Sequence, residues 1–152
     1  MSRRQLNDAH HLMRWVSHEK LEYDPDTFEI KGIMPIAFQV RPQDKGKLST
    51  HWIEYFEGIQ SEQVIRSARD LGGRVHASRK KGGAFAIGNV AMIKQDGIDG
   101  GGSHIEATLS NWKANPAHAE VTGVAADDLT LQMLLATNSW SKLLYASEAL
   151  DF

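Results

Sequence analysis

The 152-residue chain contains no cysteine. That excludes disulfides, thiol nucleophiles and thiolate-ligated zinc together. It also lacks any apolar run near the roughly 20 residues needed to span a bilayer. Its first residues, Met1-Ser2-Arg3-Arg4-Gln5-Leu6, lack the apolar stretch of a signal peptide. Charge of one sign is scarce too. Seventeen Lys and Arg stand against 19 Asp and Glu, a formal net charge of −2, so contact with nucleic acid or an anionic membrane would need a local patch. These absences point to a cytoplasmic protein with no membrane contact and argue against nucleic acid as a partner. No phosphate loop ending in Gly-Lys-Ser/Thr, no dinucleotide fingerprint and no complete metal-ligand signature occurs, so no cofactor or metal is assigned.

What is present suits one globular domain over residues 1–152, with 41% hydrophobic residues to build its core. Leu6, Ala9, Met13 and Val16 fall at helical spacing and predict an amphipathic helix over 4–18. Residues 28–40 read as extended, with Gly32 and Pro35 as irregularities. Ser49 or Thr50 caps a short expected helix carrying Trp52, Ile53, Tyr55 and Phe56, ended by Gly58. A second helix starts at Ser61, buries Val64, Ile65, Ala68 and Leu71, and stops at Gly72-Gly73. Residues 74–78 and 84–93 read as strands joined by a hairpin, and 96–102 as a flexible loop. Asp127 caps a last helix with Leu129, Met133 and Leu134, extending to Trp140, Leu143 and Leu144 unless Asn138-Ser139 interrupts it. The expected fold is α+β, a mainly antiparallel sheet of about four or five strands flanked by helices.

The main chemical feature is a doubled pentapeptide, His104-Ile-Glu106-Ala-Thr108 and His118-Ala-Glu120-Val-Thr122, whose copies start fourteen residues apart. In each, the polar residues alternate with small or branched apolar ones, the pattern of a half-buried strand with His, Glu and Thr on one face. An antiparallel hairpin with Glu106 opposite Glu120 sets Thr108 opposite His118 and His104 opposite Thr122. Three meanings stand: a solvated sheet face, an acid–base or substrate-binding site in which a Glu orients a His, or a divalent-metal site. Adjacent carboxylates repel unless a cation or proton lies between them, which weighs against mere solvation. The candidate catalytic residues are His118, Glu120, His104 and Glu106.

Arg79, Lys80 and Lys81, followed by Gly82-Gly83, form the compact basic cluster and are the candidate phosphate-binding residues, alongside the simpler reading of a solvated hairpin tip. Histidines 10, 11 and 18 with Arg14 read as a solvated helix face. His51 and His76 stand out less readily as surface residues. A His-x-Ser at His76 followed by His-x-Thr would resemble phosphoesterases with two histidine motifs, but the later copies read His-x-Glu and the pattern fails there. In the aromatic segment, Trp52 and Tyr55 are either core or anchors for a protein partner.

Two stretches carry a resemblance. Leu48-Ser49-Thr50-His51-Trp52-Ile53-Glu54-Tyr55-Phe56 and Asn115-Pro116-Ala117-His118-Ala119-Glu120-Val121 resemble paired motifs of small, uncharacterised bacterial proteins, Leu-Ser-x-x-Trp-Leu-Glu-Tyr/Phe-Phe and Asn-Pro-Ala-His-Ala-Glu-Ile/Val. This chain has Ile53 where Leu is common and His51 where Asn is expected. The group is similar to accessory proteins of mobile or defence-type gene clusters. The resemblance implies a bacterial accessory protein and singles out His118, Glu120, Trp52 and Glu54 without assigning a reaction.

Two functions follow from different classes. One is an accessory or protein-interaction domain, possible in a conflict or defence system, that docks a protein partner through the aromatic segment or a sheet face. The other is a His/Glu-based hydrolase or nucleotide-binding enzyme acting on a phosphate-containing ligand. The first expects a shallow surface at the His/Glu quartet and an exposed Trp52 or Tyr55. The second expects a concave pocket there.

Overall fold

Strand β1 (His11–Val16) lies inside an antiparallel six-stranded sheet. On one side it pairs with β5 (Ala84–Asn89) along six positions, from His11 opposite Asn89 to Val16 opposite Ala84. On the other side it meets β4 (Leu48–Trp52) at only two, Leu12 opposite Trp52 and Met13 opposite His51. Beyond β4 come β7 (His118–Thr122) and β6 (Glu106–Leu109), and beyond β5 comes β8 (Lys142–Tyr145). A separate ribbon joins β2 (Leu21–Tyr23) to β3 (Ile30–Ile33). This computed structural model describes residues 4–77, 82–102 and 104–149. Among them, no helix is long and apolar enough to cross a membrane.

Each sheet face has its own core. One carries Leu12, Val16, Ala84, Ala86, Leu48, Ala119 and Val121, closed over by Val90 and Ile93 of α2 (Val90–Gly101), Leu131 of α3 (Leu129–Leu134), Phe38 and Trp140. The other carries Met13, Phe85 and Ile87 against α1 (Gln60–Arg74) and α4 (Ala146–Ala149) through Val64, Ala68, Leu71 and Ala149. Over β7 and β6 this second face is more open: Ser49 is exposed, and Glu106, Thr108 and Thr122 are half-buried.

The α+β class and its antiparallel sheet agree with the sequence, with six strands and a ribbon in place of four or five. The helix expected over 4–18 is instead β1, preceded by residues that run along β6. Leu6 N donates to Ala107 O and Leu109 N to Arg4 O, both at 2.8 Å. Leu12 and Met13 are buried on opposite faces, so β1 shows no polar alternation, and its apolar residues mimic a helical stripe. The short helix expected from Ser49 is β4 followed by the 3-10 turn Ile53–Tyr55. Only Ile30–Ile33 of the extended stretch is a strand, and Pro35–Phe38 is a 3-10 turn.

Val64, Ala68 and Leu71 of the expected α1 stripe join the core, but the helix starts at Gln60 without a cap from Ser61 and continues through Gly72-Gly73 to Arg74, so its end replaces the start of the strand expected over 74–78. Tertiary packing of its apolar face offsets the roughly 1 kcal/mol helix penalty of each glycine. Strand β5 ends at Asn89, whose side chain accepts from Met92 N at 3.2 Å and starts α2. The loop expected over 96–102 is therefore mostly the second half of α2, closed by Gly102 at φ 73°. Asp128, not Asp127, caps α3 by accepting from Leu131 N at 2.9 Å. The helix ends in the π turn Leu135–Ser139, and Leu143 and Leu144 belong to β8.

Trp140 is fully buried, 5.8 Å from the Phe38 ring centroid. It lies flat on Gly88 of β5, where an added Cβ would stand 2.7 Å from the indole. Gly88→Ala is expected to cost about 1–3 kcal/mol by overpacking, read as a lowered urea midpoint. An unchanged midpoint would show that the indole yields freely.

Candidate functional site

The two pentapeptides do form the β6–β7 hairpin, except that His104 and Ile105 precede β6, and Glu106, Thr108, His118, Glu120 and Thr122 share one face. The register differs from the expected one by two residues: Glu106 lies opposite Thr122 and Thr108 opposite Glu120. This separates the carboxylates that the expected register placed side by side, and it divides the quartet. At one end His104 is exposed and its Nε2 donates to Glu106 Oε1 at 2.7 Å, while Gln5 Nε2 also donates to Glu106. Glu120 is buried, 3.6 Å from Lys47 Nζ. His118 is at the far end, beside Ser110. The quartet is therefore spread along the hairpin, with His118 opposite His51 of β4 and His104 beside Glu106.

His118 instead joins a group that the sequence left scattered. Strands β4 and β7 pair with His51 opposite His118, so the two stretches that carry the resemblance become neighbours. His118 Nδ1 shares a 2.5 Å hydrogen bond with Ser110 Oγ. Its ring stacks on Trp112 at 4.0 Å with planes 9° apart. The loop between β6 and β7 makes this possible: Asn111 takes a left-handed φ of 59°, which Asn tolerates better than most residues, and His118 N donates to Asn115 O at 3.0 Å. Ser110 and Trp112 thus hold the His118 ring.

On the facing wall, buried His51 Nε2 donates to Asp70 Oδ2 at 2.6 Å. Arg74 Nε donates to the same oxygen at 3.0 Å, and Arg74 Nη1 donates to Ala114 O at 3.0 Å. The i,i+4 spacing of Asp70 and Arg74 puts them on one side of α1. The relay His51–Asp70–Arg74–Ala114 thus ties β4 to α1 and α1 to the β6–β7 loop. Burial pushes the His51 imidazole below its usual 6.5 against the pull of Asp70. Burial acts to raise the Asp70 carboxyl, but hydrogen bonds from His51 and Arg74 outweigh it and hold the group below 3.8. His51 is accordingly a neutral donor that positions Asp70, and Arg74 and Arg14 bring guanidinium groups to the cleft.

Between these walls is a cleft of about 320 Å³. Met13, Trp15, Leu71 and Val75 give it apolar lining, while Arg74, Asn115 and His118 supply polar groups. Asn115 Oδ1 is shut away from water with no partner among the described residues. Such an arrangement can hold a small ligand with an apolar body and a negative group at Arg74, and can exchange a proton at the His118 ring. No group of three or more His, Asp or Glu suited to a metal occurs among the described residues.

Arg79, Lys80 and Lys81 lie outside the described residues. Trp52 is half-buried, with His10 at 5.2 Å and the Arg4 guanidinium 5.1 Å from its ring, whereas Tyr55 is exposed. Besides Asp70, Arg74, Ser110 and Trp112, whose roles no motif in the sequence signals, there is a further His–carboxylate pair. His11, expected on a solvated helix, donates from N at 2.6 Å and from Nδ1 at 2.7 Å to the two oxygens of Glu54. His11 borders another cleft, of about 220 Å³, with Asn89, Ser139 and Lys142. Glu54 had one signal, its place in the resemblance; His11 had none.

The neutral His51 sets the sign of a pH effect. The unfolded chain protonates this residue near 6.5, and the folded chain only at lower pH, so the unfolded state binds more protons as pH falls through that range. Its contribution to stability is full above about 6.5 and declines below it. In urea denaturation from about pH 7 to about pH 5, His51→Gln should flatten part of the wild-type loss. Parallel curves for the two proteins would show that His51 is not the titrating group.

No protein-family model, curated protein or solved structure matches the chain.

Proposed function

We propose that the chain binds a small phosphate-containing ligand of nucleotide type in the cleft between α1 and β4–β7, and that His118 is its acid–base group. The observation that carries this reading is the double restraint on His118. It is buried, hydrogen-bonded to Ser110 and stacked on Trp112 at the wall of a cleft that also holds a fixed guanidinium. Preorganised side chains of this kind lower the entropic cost of proton transfer to a bound ligand. Arg74 takes the phosphate, and the apolar lining takes a base or other flat body. Arg74 is a phosphate-binding candidate in addition to Arg79, Lys80 and Lys81. Hydrolysis of a phosphoester is the reaction this set serves, with His118 taking a proton from water or giving one to the leaving oxygen.

A protein-partner role rests on a different surface. Tyr55 and Ile59 are 45% and 67% exposed beside the turn that follows β4, and exposed aromatic anchors are favoured at interfaces. The accessory role implied by the resemblance belongs with this second reading.

Calorimetric titration with nucleoside mono- and triphosphates separates the two. Saturable binding to wild type is expected, weakened about tenfold or more in Arg74→Gln by loss of a charge-assisted contact. His118→Asn should keep most of the affinity and lose phosphoester turnover. Absence of binding to wild type would remove the ligand reading and leave the partner surface at Tyr55.

A further inference from the structure

The ladder between β1 and β4 stops after Met13 and His51, and the Arg14 side chain fills the opening beyond it. Its Nη1 donates to Ser49 O at 2.7 Å and its Nη2 to Ala37 O at 3.1 Å. The guanidinium carbon stands 5.8 Å from the Phe38 ring centroid. Nε is shut away from water without a partner among the described residues. Carbonyl dipoles and a ring face solvate this cation, but they do not neutralise it.

No carboxylate among the described residues is within ion-pair distance of Arg14. The carboxylate that acts on it is Asp44, and Asp44 is already engaged. Arg41 Nε and Nη2 donate to its two oxygens at 3.1 Å each, and Arg41 N donates at 2.9 Å. Burial brings Arg14 down to about 10, with Asp44 opposing the shift. In front of the guanidinium is a cavity of about 410 Å³, lined by Arg14, Lys20, Arg41 and Lys47, with Asp44 as the carboxylate in its wall. Lys20 makes no ion pair among the described residues, and Lys47 reaches Glu120 only at 3.6 Å.

We infer that this cavity binds a small tetrahedral oxyanion, free phosphate or the phosphate group of a larger ligand, as the counter-charge that Arg14 lacks. Four cations border a space large enough for such a group, and the most deeply placed of them, Arg14, has no ion-pair partner among the described residues. Arg14 and Ser49 also border the His118 cleft, but the anion site is built from Lys20, Arg41 and Lys47, which that cleft does not use. The inference therefore does not rest on the nucleotide reading.

The test is calorimetry on the full chain with inorganic phosphate and, separately, ribose 5-phosphate, at ionic strength fixed with chloride. Arg14 also supports the open part of the sheet, so the decisive variant is the surface pair Lys20→Ala/Lys47→Ala. Saturable phosphate binding is expected in wild type, weakened about tenfold or more in the lysine pair and kept in Arg74→Gln. Tighter binding of ribose 5-phosphate would mark a phosphate ester as the ligand, and equal or weaker binding the free anion. Three results would overturn the assignment: no binding beyond that of chloride, unchanged affinity in the lysine pair, or loss of binding in Arg74→Gln alone.

Discussion

Because backbone donors and acceptors inside a protein need partners, a strand that leaves a ladder unfinished must have something else to complete it. Strand β1 is such a strand: it satisfies β5 along its whole length but β4 at only two positions. Trp52 N donates to Ala117 O, so by alternation the Ser49 carbonyl points away from β7 toward the place where β1 has diverged. Arg14 meets that carbonyl in place of a backbone amide. The divergence opens the sheet on both sides. On the α1 side the opening adjoins the cleft of His51 and His118, and on the other it adjoins the cavity of Lys20, Arg41 and Lys47. Both candidate sites depend on that unfinished ladder.

The two histidines paired across β4 and β7 have different work. His51 is buried, neutral and committed to Asp70, and through Asp70 it fixes the direction of Arg74. His118 is held from the loop side by Ser110 and Trp112. One wall of the cleft is thus set by a helix and the other by a hairpin, and Arg74 joins them through Ala114 O. A ligand entering this space meets side chains whose conformational entropy has already been lost on folding, which favours binding and proton transfer.

The parts legible in the sequence are those with local periodicity. The stripe Val64, Ala68 and Leu71 marks α1, and the alternation in both pentapeptides marks β6 and β7 and the face their polar residues share. The strands β1 and β4 were hidden for the opposite reason. Residues such as Leu12, Met13, Thr50 and His51 are buried on both faces, so they show no alternation, and their aromatic and apolar neighbours imitate helical spacing. Within the site, His118 and Glu120 were visible as a motif. Asp70 and Arg74 were not, because their link to His51 is a tertiary contact across α1 and β4 that no spacing encodes. The hairpin register shifted by two residues for a similar reason: alternation fixes the face, while the partners depend on the loop between the strands.

The pairing of β4 with β7 is the claim on which the His118 site rests, and proton NMR tests it directly. His51 and His118 occupy a non-hydrogen-bonded position of the ladder, where Cα atoms approach to about 4.5 Å and α-protons face each other. A strong cross-strand Overhauser peak between their α-protons is expected, with a second between Ser49 and Glu120. Peaks linking His51 to Glu120 or Pro116 instead would show a slipped register and contradict the account.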